Sequence, residues 1–170
     1  MFVPGELVVY GGEGVCRVEK IGPASVPGAD KAKLYYTLLP LHRTGQVLTP
    51  VDTKVLMRPI LTGEAARALI ETLSHLEPDP GPAGNPRLLK EHYQSVVASY
   101  DCTAMIRLIR AVACKQKCAL ERGKKPCQLD ERYLKRAEDQ LYGELGAALK
   151  IDRSEVAAYI RQYHPAWPKI

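Results

Sequence analysis

The sequence contains no apolar run that reaches the ~18 residues a membrane-spanning helix requires. Its first six residues also lack the basic stretch and apolar core of a signal peptide. We therefore expect no membrane partner and a cytoplasmic location, in which the five cysteines stay reduced. An apolar content of 46% with 25% charged residues is ordinary for a soluble globular protein.

The residue types that catalysis or metal binding needs are present but scattered. Cys114 and Cys118 lie one helical turn apart, and Cys102 and Cys127 are further possible metal ligands. No neighbouring histidine completes a tetrahedral set with these cysteines. We expect small buried side chains here, with no metal and no cofactor. No activating base for a cysteine is evident among His42, His75, His92 and His164. The sequence therefore predicts a protein that is not an enzyme.

Two further patterns invite a chemical interpretation. Neighbouring carboxylates occur at 130–131 and 138–139, but at helix starts and on outer helix faces such residues serve capping and ion pairing. Gly12 and Gly14 lack the third glycine and the following helix of a phosphate-binding loop. Neither pattern predicts an active site.

Charge divides the chain into two parts. Residues 1–80 carry eight basic and nine acidic residues, whereas residues 81–170 carry sixteen and ten. Within 107–136 there are ten basic residues against three acids, an excess of one sign that suggests a polyanionic partner. The alternative is a lysine-rich surface that only maintains solubility.

Between the two parts of the chain, residues 77–84 contain three prolines and two glycines, which predicts a hinge or linker.

The first part has the pattern of a small β domain. Short apolar, β-branched segments at 6–10, 15–21, 33–39, 46–49 and 54–58 are separated by turn residues. They predict a strongly bent, five-stranded antiparallel sheet or barrel. The second part has a helical period, which predicts a compact four-helix bundle after residue 85 and an α+β fold overall.

Capping residues predict where the helices begin. Residues 62–76 form an amphipathic helix, Gly123 ends a later one, and Asp152 with Glu155 resembles a capping box. We expect the tail at 164–168 to fray, with docking of Trp167 on the bundle as the alternative. The predicted N-caps are Thr62, Asn85, Asp101, Asp130 and Asp152.

Several short motifs follow one another along almost the whole chain. In the first part these are Phe2, Gly5-Glu6, Val8-Val9-Tyr10-Gly11, Gly14-Val15, Pro50-Val51-Asp52 and Met57-Arg58-Pro59-Ile60. In the second part they are Ser99-Tyr100-Asp101, Leu108-Ile109-Arg110 and Ala137-Glu138 with Leu141 and Glu144-Leu145. In their order and spacing these motifs resemble the CarD/CdnL family of transcription regulators.

The resemblance implies a Tudor-like RNA polymerase-interacting β domain at 1–60, a connecting helix and Pro/Gly linker at 61–84, and a helical DNA-contacting domain at 85–164. It implies binding to the β subunit of bacterial RNA polymerase and contact with promoter DNA at the upstream edge of the melted bubble. The same β domain occurs in transcription-repair coupling factors, but this chain has no helicase motifs. We expect a monomer whose DNA binding is weak and largely non-specific.

The resemblance and the sheet prediction together assign polymerase contacts to the third and fourth strands, at Lys33, Tyr35, Tyr36, Gln46, Val47, Leu48 and Thr49. Charge and position assign DNA contacts to Arg87, Lys90, Arg122, Lys124, Lys125 and Arg132.

Two family features are missing. Members of the family carry a wedge tryptophan at a place that falls on Asn85 or Pro86 here, and some present a basic residue where this chain has Leu48 or Thr49. The alternative function is that of a protein adaptor whose helical domain does not bind DNA.

Overall fold

The computed structural model describes residues 1–168 and contains two compact units, Met1–Ile60 and Leu61–Ile170. The first is a sheet and the second is helical, so the predicted α+β fold is confirmed. Residues 61–84, predicted as a separate connecting segment, are grouped with the helical unit.

The first unit is a five-stranded antiparallel sheet. Its strands are β1 (Leu7–Tyr10), β2 (Gly14–Pro23), β3 (Leu34–Pro40), β4 (Val47–Pro50) and β5 (Met57–Pro59). They lie in the order β4-β3-β2-β1-β5, so β4 and β5 are the edge strands. The tight turn from β1 to β2 places Gly12 at a φ of 91°, a conformation that residues with a Cβ rarely adopt.

One face of this sheet carries a small apolar core. The Tyr10 hydroxyl donates to Thr49 Oγ1 over 3.0 Å inside it, and the Tyr36 hydroxyl accepts from the Phe2 N–H at 3.0 Å. Because both hydroxyls have partners, two large side chains can be buried without an unpaired polar atom. The core residues are Val8, Tyr10, Cys16, Val18, Tyr36 and Leu38.

The second unit has five α-helices in its described part. They are α1 (Gly63–Glu71), α2 (Pro86–Ser99), α3 (Cys102–Glu121), α4 (Gln128–Leu149) and α5 (Val156–Tyr163), with 3₁₀ turns at Leu73–His75 and Arg153–Glu155. Helix α4 packs against the other four and is the centre of the unit. The caps predicted at Thr62, Asn85 and Asp101 and the capping box at Asp152 are confirmed.

The predicted N-cap of α4 is wrong. The helix begins at Gln128 after Cys127, and Asp130 lies inside its first turn. The Asp130 side chain is buried because Oδ1 accepts a hydrogen bond of 2.8 Å from the Tyr93 hydroxyl on α2. The Asp130 carboxylate therefore makes a tertiary hydrogen bond to Tyr93 instead of the helix cap that the local sequence predicted.

Residues 77–84, predicted as a hinge between modules, are held along α3 within the helical unit. The Asp79 N–H donates to the Arg107 carbonyl at 3.2 Å, and Arg107 Nε donates to the Glu77 carbonyl at 2.8 Å. Lys115 Nζ donates to the Pro80 carbonyl at 2.9 Å. The prolines end the preceding helical turn, but side chains of α3 fix the segment that follows.

The C-terminal tail docks instead of fraying. Trp167 is buried, and its Nε1 donates to the Tyr142 hydroxyl at 2.8 Å. His164 Nε2 lies 2.6 Å from the Ile70 carbonyl oxygen, and the Arg161 side chain donates from Nη1 to the Pro168 carbonyl. Of the two alternatives for the tail, docking of Trp167 is the one observed.

Candidate functional site

The free edge of β4 directs backbone groups away from the sheet. The Val51 N–H donates to the Leu34 carbonyl at 2.9 Å, and the same register places Thr37 opposite Leu48. Because bonded and non-bonded pairs alternate in an antiparallel ladder, the N–H and C=O of Leu48 point away from β3. Pro50 has the same orientation but no N–H. Leu48 therefore supplies the one outward N–H of β4.

Of the seven predicted polymerase contacts, some have side chains in the interior of the β unit and others have accessible side chains. The contacts were assigned to β3 and β4, but β3 lies between β2 and β4, so of these two strands β4 alone has a free edge. Tyr36 and Thr49 are buried and Val47 packs at the core, so their side chains are committed to the interior. The side chains that remain accessible are those of Lys33, Tyr35, Gln46 and Leu48.

Polar pairs flank both ends of β4. Beyond its C-terminal end, Lys33 Nζ lies 2.9 Å from Asp52 Oδ2, and this hydrogen bond and charge raise the pKa of Lys33 and lower that of Asp52. Before its N-terminal end, Gln46 Nε2 donates to Glu19 at 3.1 Å. The middle of the edge, at Leu48, is therefore an apolar position between two polar ones.

In the helical unit, a hydrogen-bonded network joins three helices around Tyr93. The Tyr93 hydroxyl donates to Asp130 of α4 and accepts from Lys115 Nζ of α3 at 3.0 Å. Burial and the hydrogen bond to Asp130 raise the pKa of Tyr93 well above its ordinary value. Only two residues separate α2 from α3, and these contacts join the middle of α2, the second half of α3 and the first turn of α4.

All six predicted DNA contacts are exposed. They lie on the first two turns of α2, at the end of α3, in the connector after it and near the start of α4, and we call these segments together the cationic end. Arg87 forms an ion pair of 3.0 Å with Glu91 one turn along α2. The other five have no ion-pair partner within residues 1–168. They are Lys90 on α2, Arg122 at the end of α3, Lys124 and Lys125 in the connector, and Arg132 on α4.

Two exposed leucines at the cationic end were not singled out in the sequence. Leu88 on the first turn of α2 is 47% exposed, and Leu120 on the last turn of α3 is 64% exposed. The helical period offered a signal for Leu88, since it lies off the inward face that contains Leu89 and Tyr93. The cationic end therefore combines positive charge with apolar side chains.

Besides Asp130, two further carboxyls of α4 are buried, against the prediction that Glu138 lies on an outer face. Glu144 accepts from the Leu61 N–H at 3.0 Å and from the Cys102 thiol at 3.2 Å. Glu138 is only 4% exposed, and its Oε1 has no hydrogen-bond partner in the described structure. Burial, followed by the charge of Asp139, raises the pKa of Glu138 to about 7.

The cysteines also differ from the prediction. Cys102 is buried, but Cys114, Cys118 and Cys127 are exposed, because they lie on the outer side and beyond the end of α3. Among residues 1–168 there is no cluster of three or more side chains able to hold a metal ion.

The fold and these surfaces define a small β domain with a free edge strand, followed by a helical unit with a cationic end. Residues 2–61 match the family model described as the CarD-like/TRCF RID domain. The first unit is thus a CarD-like domain, as its motifs predicted, and the chain is an RNA polymerase-interacting, transcription-related protein. This domain family is not a family of enzymes. No curated protein matches the chain.

The family match covers the β unit and ends where the helical unit begins. Within residues 1–168, no helix has both the length and the apolar character needed to cross a bilayer.

Proposed function

We propose that the chain is a bacterial transcription regulator that binds the β subunit of RNA polymerase through β4 and contacts promoter DNA through the cationic end. Its DNA contact lies near the upstream edge of the melted bubble, where it modulates the stability of the open complex. The protein acts in the cytoplasm as a monomer. One observation carries this proposal: within a polymerase-interacting domain, β4 turns the Leu48 N–H and C=O outward.

The polymerase contact is a strand addition. An edge strand with outward N–H and C=O groups can pair with a strand of another protein, and these main-chain bonds then supply much of the affinity. Lys33 and Gln46, each held by a carboxylate of this chain, border the pairing site.

The DNA contact is electrostatic. Five exposed cations that have no acidic partner among residues 1–168 can neutralise phosphates, which positions a protein on DNA without reading its sequence. No aromatic side chain stands at positions 85 or 86 to unstack bases, so the cationic end supports a bubble that is already open. Promoter choice then comes from the polymerase.

The alternative is a protein adaptor that does not bind DNA. It is favoured by the extent of the family match, which ends at residue 61 and leaves the helical unit without an assigned partner. In that case the cationic end serves solubility or a protein contact.

Salt-dependent binding of the full chain to a forked duplex separates the two functions. The double variant Lys124→Ala, Lys125→Ala should reduce the slope of log affinity against log salt by up to about 1.8, since each phosphate contact contributes roughly 0.9. The matched control is Lys31→Ala with Lys54→Ala, which removes the same charge from exposed positions of the β unit. It should leave the slope unchanged.

An equal slope for both double variants and the unchanged protein would show that the connector does not contact DNA. The adaptor function would then be the better supported one.

A further inference from the structure

A groove of about 400 Å³ lies on the outer face of the sheet, opposite the core. One wall is the loop that follows β2, with Ala24 and Val26, and the other is Leu48 of the edge strand. Val26 is 52% exposed and Leu48 is 37% exposed, so two apolar side chains line an open site.

The sheet register fixes what lies beside this groove. Lys20, Thr37 and Leu48 are neighbours across β2, β3 and β4, and all three line the groove. Neighbouring side chains in such a row share one face of a sheet. A strand added to β4 continues the row, so its residue opposite Leu48 directs its side chain to the groove face.

The outward N–H and C=O of Leu48 make this position the point of pairing. In an antiparallel addition, the partner residue that exchanges both main-chain bonds with Leu48 stands directly opposite it. Backbone recognition and the groove thus act on the same partner residue.

We propose that the groove receives one apolar side chain from the polymerase strand that pairs with β4, and so selects the segment that binds. This inference rests on the proposed polymerase contact. The described residues that line the groove include no carboxylate and one charged side chain, Lys20, so a basic partner side chain meets like charge. An apolar side chain is covered by Val26 and Leu48 instead.

The test measures the affinity of full-length variants for core RNA polymerase. Leu48→Ala and Val26→Ser each remove a groove wall and should weaken binding about tenfold, the effect of losing a small number of buried methyl groups. Leu56→Ala and Val55→Ser are the matched controls, because these apolar side chains are similarly exposed next to β5 and outside the groove. The controls should bind like the unchanged protein.

A third variant separates the groove from the strand pairing. Leu48→Pro removes the outward N–H, and a proline is already accommodated two residues on at Pro50. If Leu48→Pro abolishes binding while Leu48→Ala and Val26→Ser behave like their controls, strand addition stands and the groove inference is overturned. If all β4 variants that melt like the unchanged protein also bind like it, the proposed polymerase contact itself fails.

A further variant tests whether the partner side chain in the groove is apolar or acidic. Lys20→Gln should leave the affinity nearly unchanged if the groove takes an apolar side chain. A loss as large as that of Val26→Ser would assign the groove to an acidic side chain and overturn the inference.

Discussion

The two units expose different resources for binding. In the β unit, two of the surface cations are paired, Lys33 with Asp52 and Arg43 with Glu13 at 3.4 Å, and the feature offered to a partner is the backbone of β4, which turns outward at Leu48. In the helical unit, backbone groups are used within long helices, whereas five cations at the cationic end have no acidic partner among residues 1–168. The first unit therefore presents outward backbone groups to a partner, and the second presents positive charge.

This difference predicts different responses to salt. Main-chain pairing and apolar contact depend little on ionic strength, whereas phosphate contacts release counterions and weaken steeply as salt rises. Three changes in the helical unit, ordered from the largest expected effect on stability to the smallest, test how that unit holds its charged surface.

The largest effect on stability is expected from Tyr93→Phe. Without the hydroxyl, the buried Asp130 loses a donor and Lys115 loses an acceptor, which should cost about 1–3 kcal/mol in the free energy of unfolding. Urea unfolding followed by the fluorescence of Trp167, the single tryptophan, reports on this unit.

Tyr35→Phe in the β unit is the control, since its hydroxyl only accepts an exposed bond from the Asp30 N–H. It should leave the Trp167 transition in place. A Tyr93→Phe protein as stable as the unchanged one would mean that the network does not hold the cationic end together.

An intermediate effect is expected from Glu138→Gln, and it depends on pH. In the unfolded chain this carboxyl ionises near its ordinary pKa of 4.5, but in the folded protein only near 7. The folded state thus holds the proton more tightly, so the contribution of Glu138 to stability is fully present below pH 4.5 and is lost as the pH rises through about 7.

Glu138→Gln should remove this contribution, so the variant should lose less stability between pH 5 and pH 7.5 than the unchanged protein. Glu71→Gln, at an exposed position of α1, should follow the unchanged protein. Identical pH profiles for all three proteins would show that Glu138 ionises normally in the folded state.

The smallest effect is expected from replacing Cys114 and Cys118 with Ala. Both thiols are exposed, so the double variant should change the free energy of unfolding by no more than about 0.5 kcal/mol. We also predict no metal: stoichiometric zinc in protein purified without added metal, measured by elemental analysis, would contradict this.

Local chemistry made much of the fold predictable. The side chains of Thr62, Asn85 and Asp101 bond to backbone N–H groups within three residues, so a short stretch of sequence contains the whole interaction. The strands were predictable for the same reason, since alternation and turn residues are local. The CarD-like motifs then pointed to the function of the β unit.

Other features depend on contacts between distant residues. Local sequence makes Asp130 a plausible N-cap, but in the fold it is buried and hydrogen-bonded to Tyr93, 37 positions away. The burial of Glu138 and Trp167 depends on how helices pack, and the interior position of β3 depends on strand order. The groove beside Leu48 could not be predicted because it requires the loop after β2 to lie over the outer face of the sheet.

We propose that the two units bind different partners, the β unit through backbone pairing and the helical unit through charge. The direct measurement compares Leu48→Pro with Lys124→Ala, Lys125→Ala in the full chain, against core RNA polymerase and against a forked duplex, over a range of salt. We expect Leu48→Pro to lose polymerase binding but to keep DNA binding with its full salt slope, and the lysine variant to keep polymerase binding but to lose part of the slope. Loss of polymerase binding in the lysine variant, with Leu48→Pro unaffected, would contradict the proposal.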